Sequence, residues 1–200
     1  MNIILATRNP SKTEQIKNLF RGSSVSILTP TEAGIEGEAI EDGATLQENA
    51  LNKALFVWEQ VSSPKLWVAA DDTGLFMPAL NNEPGVRSAR WAGDTATTEE
   101  IMLYTLNRLK DMTDRSATFE TLVALISPEG MYHFFSGKVH GKILEAPRTK
   151  PQPKMPYSPI FVPDGTDQVW AEMSVGFENT ISHRGIAFRQ VRAFLESISK

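Results

Sequence analysis

Residues 66–74 read LWVAADDTG. Leu66 to Ala70 is apolar throughout, the pattern of a strand buried on both faces between layers of helices. Asp71 and Asp72 follow at once. Ligands of open α/β sheets bind outside the carboxyl ends of the strands, so acidic catalytic groups are expected here. Adjacent residues on an extended chain point to opposite sides. The two carboxylates should therefore act separately, one facing a cleft and the other capping a turn with Thr73 and Gly74. A pair of plain turn formers is the competing reading.

Upstream, residues 2–6 (NIILA) read as another buried strand, followed by a turn through Thr7 to Pro10. Asn9 is a good N-cap and Pro10 suits the first helical position, which predicts a helix to about Phe20. Val25 to Leu28 is a short strand. Thr45 to Glu48 (TLQE) has capping-box spacing. It opens a helix with Leu46, Ala50, Ala54, Val57 and Val61 on one stripe, ended by Pro64.

Downstream, Asn81 to Gly93 has the Asn, Gly and Pro density of a loop. Thr97 to Glu100 (TTEE) is a second capping box, starting a helix with Met102, Leu106 and Leu109 inward. Ala117 to Ser127 places Phe119, Thr121, Val123 and Leu125 on one face. Pro128 to Gly130 then turns into Met131 to Leu144, which predicts a long β-hairpin. Residues 147–163 hold six of the twelve prolines and predict a semi-rigid loop with little regular structure. A last helix from about Arg184 carries Ala187, Val191, Phe194 and Ile198 inward. The fold class is α/β, with helices on a mixed sheet and the hairpin forming part of a second lobe.

With 200 residues, 41% hydrophobic and 22% charged, the chain can bury a sizeable core, and a single domain over 1–200 is expected. A net charge of −4 argues against a general nucleic-acid coat or an anionic-membrane binder, while leaving room for a local basic pocket. The absence of cysteine excludes disulfides, zinc–thiolate sites and cysteine nucleophiles. The apolar run Ile3 to Ala6 is too short for a signal peptide or a membrane span. A soluble, cytoplasmic protein is expected, with neither nucleic acid nor membrane as partner.

Other candidate groups cluster at helix starts. Thr7 to Lys12 links a strand to a helix, an arrangement that presents backbone N–H groups to an anion. Lys12 sits in the first turn, where a cation is unhelpful to the helix dipole. Lys53 shares the apolar stripe of its helix, so it must snorkel to water or meet an anion in a cleft. Glu48 reads as the capping-box acid. Glu41, in the acidic stretch Glu36–Asp42, could ligate a divalent cation. Ser182, His183 and Arg184 open the last helix and make another anion site. His133 and His140 lie on the hairpin and read as structural or exposed. Two helix N-termini, two lysines, an arginine and several carboxylates suit a polyphosphate held with magnesium.

Seven ordered blocks then make a specific resemblance. ATRNPSK (6–12), EDGATLQENALNKA (41–54), ADDTGLFMPALNNEPGVRSARWAG (70–93), ILEAPR (143–148), SPIFVPDG (158–165), AEMS (171–174) and ISHRG (181–185) together resemble the inosine triphosphate pyrophosphatase family. The resemblance implies an elongated two-lobed α/β fold around a central cleft, and a homodimer. It implies hydrolysis of non-standard purine nucleoside triphosphates (ITP, dITP, XTP) to a monophosphate and pyrophosphate with Mg2+. By motif, Thr7, Asn9 and Lys12 fall in the phosphate-binding loop, and Lys53 is the lysine of the ENAxxKA helix. Asp72 takes the place of proton acceptor and metal ligand, with Glu41 the second acidic ligand. Thr73, His183 and Arg184 fall at substrate contacts, and Met155, Tyr157 and Ser158 in the base-recognition segment.

That segment departs from the family pattern. It reads MPYSPIF (155–161), with Met155 for the stacking Phe, Ser158 for the acid that reads the base edge, and no glycine between Lys142 and Asp164. Glu178 replaces the lysine expected five residues before His183, and Ile40 stands where some members add an acid. A carboxylate near phosphates should weaken their binding. Base preference is therefore left open, and two alternatives stand beside the pyrophosphatase: a catalytically weak nucleotide-binding regulatory paralogue, and a Maf-like enzyme acting on other modified nucleotides.

Overall fold

Local signals set the helices. In the computed structural model, which describes residues 1–62 and 66–198, Asn9 caps α1 (Pro10–Leu19). Both capping boxes form, at the start of α2 (Leu46–Trp58) and of α3 (Thr98–Arg108). Each such cap is worth about 1 kcal/mol. α2 stops at Trp58, so Val61 lies beyond the helix it was expected to extend; Pro64 falls outside the described residues. Two further helices, α4 (Val175–Ile181) and α5 (His183–Ile198), close the chain. The inward face of α5 is Arg184, Ala187, Phe188, Val191 and Leu195, whereas Ile198 is exposed because the stripe runs one turn past the surface it covers.

Seven strands form one sheet: β1 (Asn2–Leu5), β2 (Ser26–Leu28), β3 (Trp67–Met77), β4 (Glu83–Gly85), β5 (Ser116–Ile126), β6 (Tyr132–Ile143) and β7 (Phe161–Pro163). The order is β2-β1-β3-β5-β6-β7, with β4 beside β3. β1 runs parallel to β2 and β3, and the other pairings are antiparallel. The predicted hairpin is β5–β6. The segment 81–93 is not all loop, since Glu83–Gly85 adds β4, and the proline-rich stretch ends in β7 against β6.

The main departure from the sequence reading lies in β3. No turn forms at Thr73 and Gly74. The strand continues to Met77 because β5 pairs with it without interruption from Val68 to Phe76. On the opposite edge two short strands share the length: β1 pairs with Trp67 to Ala69, and β4 with Leu75 to Met77. Between them, Asp71 to Gly74 has no strand neighbour on that edge among the described residues. Apolar packing follows the same division. Trp67, Ala69, Val123 and Leu125 pack under α1 and α5, while Val68, Ala70, Ala124 and Ile126 pack under α2. Leu75, Met77, Phe119 and Ala117 belong to a third cluster with α3, Tyr157, Phe161 and Trp170. β3 and β5 thus run through two lobes, and the polar run Asp71-Asp72-Thr73 sits at the waist.

Candidate active site

A cleft of about 380 Å³ opens over the vacant edge of β3 and reaches round to both faces of the sheet. Among the described residues, six cationic side chains and five carboxylates line it, a locally basic site on an acidic protein. All the expected site residues (Thr7, Asn9, Lys12, Glu41, Lys53, Asp72, Thr73, Met155, Tyr157, Ser158, His183 and Arg184) fall on its wall.

Alternation along β3 separates the two acids as the extended backbone requires. Asp71 points to the α1/α5 face. Its Oδ2 accepts from Lys12 Nζ (2.8 Å), Arg184 Nε (3.4 Å) and Thr73 Oγ1 (3.4 Å), while Oδ1 has no hydrogen-bond partner among the described residues. Burial alone would raise its pKa, but the ammonium and guanidinium outweigh it and hold the carboxyl well below the usual range. Asp72 points to the α2 face. Its Oδ1 accepts from Lys53 Nζ (2.7 Å) and its Oδ2 from Asn49 Nδ2 (3.2 Å). Here burial dominates and lifts the carboxyl above its ordinary pKa, despite Lys53. The surroundings thus favour the ionised form of Asp71 and, relative to a free carboxyl, the protonated form of Asp72.

Lys53 therefore meets an anion rather than snorkelling past one. It lies 3.5 Å from Glu41 Oε2 as well as 2.7 Å from Asp72, so its ammonium is a cation held between two carboxylates. Burial lowers its pKa, but those carboxylates more than offset it. Glu41 and Asp72 supply hard oxygen atoms that could hold a magnesium ion drawing its remaining ligands from water and phosphate. Among the described residues no three His, Cys, Asp or Glu gather into a complete protein cage.

The loop before α1 presents fewer free backbone N–H groups than the sequence reading expects. Most of its backbone donors are satisfied: Asn9 Oδ1 accepts from Ser11 N (3.0 Å) and Lys12 N (3.4 Å), Asn9 O accepts from Thr13 N, and Pro10 has no N–H, which leaves the Arg8 N–H without an acceptor among the described residues. Thr7 Oγ1 accepts from Asn9 N (3.2 Å). Beside the Arg8 N–H the loop offers an anion the Lys12 ammonium, whose pKa burial lowers although Asp71 opposes the shift. Asn9 Nδ2 and Ser11 Oγ also donate to the carbonyls of Lys154 and Pro153, which ties the loop to the proline-rich segment.

At the other end of the cleft, His183 is buried and stacked on Phe119 (centroids 4.7 Å apart, 12° between planes). Burial, then Arg184, push its pKa well below the ordinary value, which favours the neutral imidazole. Tyr157 anchors the segment by donating to Ser88 O (2.8 Å), and burial raises its pKa. Ser158 is also buried, and its hydroxyl accepts from Gln152 N (2.9 Å) and donates to Met155 O (2.8 Å). That hydroxyl shapes the loop rather than standing free. His133 packs among Trp67 and Phe194, and His140 Nδ1 bonds Thr118 Oγ1 at the surface, both away from the cleft.

Sequence reasoning missed Asn49 and Gln15. Asn49 Oδ1 accepts from Gly43 N (2.8 Å), and a Cβ at Gly43 would sit 2.7 Å from that oxygen, so the glycine lets the acidic loop approach α2. The available signal was spacing: Asn49 lies four residues before Lys53 on the same face. Gln15 joins Arg184 to Glu178.

Fold and site define an α/β protein with a cation-lined cleft between two lobes, floored by two carboxylates of opposite facing. The chain belongs to the Ham1 family, whose model matches residues 3–194. This bears out the resemblance carried by the seven blocks. It is 41% identical over 197 residues to a dITP/XTP pyrophosphatase of Thermoanaerobacter pseudethanolicus, covering 98% of this chain and 96% of that protein. A Porphyromonas gingivalis protein of the same description is 39% identical over 194 residues, 96% of each chain. Among solved structures, a HAM1 protein from Coxiella burnetii superposes with a TM-score of 0.85 at 34% identity, over 98% of this chain and 99% of that one. The Staphylococcus aureus Ham1 protein gives 0.83 at 31%, over 99% and 100%. Among the described residues no helix is long and apolar enough to cross a membrane.

Proposed function

We propose that this chain hydrolyses non-standard purine nucleoside triphosphates (ITP, dITP, XTP) to a monophosphate and pyrophosphate. The observation that carries the reading is the split of the Asp71–Asp72 pair. Asp71 is held ionised and engages Lys12 and Arg184, while Asp72 faces Lys53 and Glu41 with a raised pKa. Lys12 and Arg184 bind and orient the phosphate chain. Asp72 accepts a proton from a water whose oxygen attacks the α-phosphorus. The bond from the α-phosphorus to the bridging oxygen breaks, and pyrophosphate leaves with its electron pair. Lys53 balances charge on the Asp72 side. A magnesium ion bound at Glu41 and Asp72 would neutralise phosphate charge and lower the pKa of water. Neutral His183, stacked on Phe119, walls the nucleoside end. The reading also carries a cytoplasmic homodimer, as the family resemblance implies.

The direct experiment is a triphosphate panel with magnesium and separate detection of pyrophosphate and orthophosphate. ITP and XTP should yield pyrophosphate and a monophosphate. Orthophosphate with a diphosphate left behind would place the attack at the γ-phosphorus and overturn the mechanism.

A further inference from the structure

Arg184 lines the cleft, but its setting is decided behind it. A guanidinium carries five N–H donors in a rigid fork. Nε points at Asp71 (3.4 Å), Nη2 at Thr73 Oγ1 (3.5 Å) and Nη1 at Gln15 Oε1 (2.6 Å). Two N–H groups remain for a ligand. The bond to Gln15 is the shortest of the three, and Gln15 is 2% exposed. A side-chain amide offers one acceptor end and one donor end. Gln15 Nε2 donates to Glu178 Oε1 (3.0 Å) and Ser182 Oγ (3.2 Å), and these fix which end faces Arg184. α4 is docked on α1 beside them, with Asn179 Nδ2 donating to Gln15 O (2.9 Å) and Asn18 Oδ1 (3.1 Å). Glu178 is buried, and its first oxygen faces Gln15. The carboxylate expected to repel phosphates therefore serves as the acceptor that orients an amide.

We infer that Gln15 is a positioning residue for Arg184, and that Glu178 acts through Gln15 by holding its amide in the orientation that presents an oxygen to the guanidinium. This rests on the reading of Arg184 as a phosphate-binding group. It also makes positions 15 and 178 an exchangeable pair. An acid at 15 can accept from Arg184 and from a lysine at 178, whereas an acid at 15 facing Glu178 sets two buried carboxylates together.

The test measures inorganic tripolyphosphate binding by calorimetry, alongside KM and kcat for ITP and a thermal melt, in four proteins: the parent, Gln15→Leu, Gln15→Glu, and Gln15→Glu combined with Glu178→Lys. Gln15→Leu and Gln15→Glu should each weaken tripolyphosphate binding and raise KM by about tenfold or more, the scale of one hydrogen bond to a charged group, with a smaller change in kcat. The combined variant should return to within about threefold of the parent. A folded Gln15→Leu protein that binds tripolyphosphate like the parent overturns the inference. If Gln15→Leu does not fold, the pair decides: a folded combined variant that binds no better than Gln15→Glu alone also overturns it. A parent that neither binds tripolyphosphate nor hydrolyses ITP defeats the functional reading instead. A parent that does both, with variants unchanged, defeats only the role of Gln15.

Discussion

Asp71→Asn and Asp72→Asn should damage this protein in opposite ways. The Asp71 side chain is fully buried and faces Lys12 and Arg184, whose side chains are 18% and 5% exposed. Removing one partner of a buried ion pair costs about 3–5 kcal/mol, because it strands the other. Lys12 retains a route to water and Arg184 keeps Gln15 and Thr73 as partners, which favours the lower end, about 3 kcal/mol. For a chain of this size each kcal/mol shifts Tm by about 2–4 °C, so Asp71→Asn should melt about 6–12 °C lower. Asp72→Asn keeps an acceptor for Lys53, which also retains Glu41 at 3.5 Å, so about 1 kcal/mol is expected. In rate the order reverses. Asp72→Asn removes the proton acceptor and should lose about two to four orders of magnitude in kcat for ITP, and Asp71→Asn much less. Asp71 has a depressed folded pKa, so its stabilisation is fully present above its unfolded pKa and is lost as pH falls through the folded value. The Tm gap between parent and Asp71→Asn should therefore stay flat from about pH 5 to 8 and close only in strong acid. Equal Tm losses for the two variants, or equal rate losses, would refute the assignment of separate roles.

Lys53→Met removes the cation that opposes the burial-driven rise of Asp72, so the acidic limb of the kcat/KM profile should move to higher pH; an unmoved limb would detach Asp72 from catalysis. Ser158→Ala takes the acceptor from Gln152 N and the donor from Met155 O, which should cost about 1–2 kcal/mol in a melt and raise KM for ITP with kcat little changed. At Gly137 a Cβ would stand 2.1 Å from the carbonyl oxygen of His183, so Gly137→Ala should push the start of α5 off β6. Lower Tm and a loss of at least about tenfold in kcat/KM are expected, since small misplacements of binding groups are costly.

Helix starts and the hairpin were legible because their causes are local: a capping residue three positions before an acid, or a period of two in Phe119, Thr121, Val123 and Leu125. The course of β3 was not legible. Asp-Asp-Thr-Gly has the composition of a turn, and what keeps it extended is β5, paired as Asp71 with Val123 and Thr73 with Thr121. α4 escaped notice because it is seven residues long, and its anchoring partners Gln15 and Asn18 lie far upstream. Gln15 and Asn49 look like solvated helix positions until the partners at 184, 178 and 72 fold against them. The altered base segment could be read from Met155 and Ser158 by comparison of patterns. That the Ser158 hydroxyl is engaged within its own loop required the fold.

The unbroken β3–β5 ladder also constrains how the cleft can breathe. A rotation of one lobe against the other would flex a beam of paired strands at Asp71 to Thr73, and β6 stiffens it further through continuous pairing with β5 from Ser116 to Ile126. Two loops at the rim, 36–42 and 150–156, lie outside this ladder. Residues 36–42 are pinned near their ends by Arg8 on Ile35 O and Arg90 on Glu41 O, and residues 150–156 by Asn9 and Ser11 on Lys154 O and Pro153 O. Releasing either loop breaks side-chain contacts, the Lys53–Glu41 pair and the Ser158 bonds among them, whereas hinging the beam disrupts a backbone ladder. Any widening of the cleft is therefore expected at these rim loops rather than along the β3–β5 ladder.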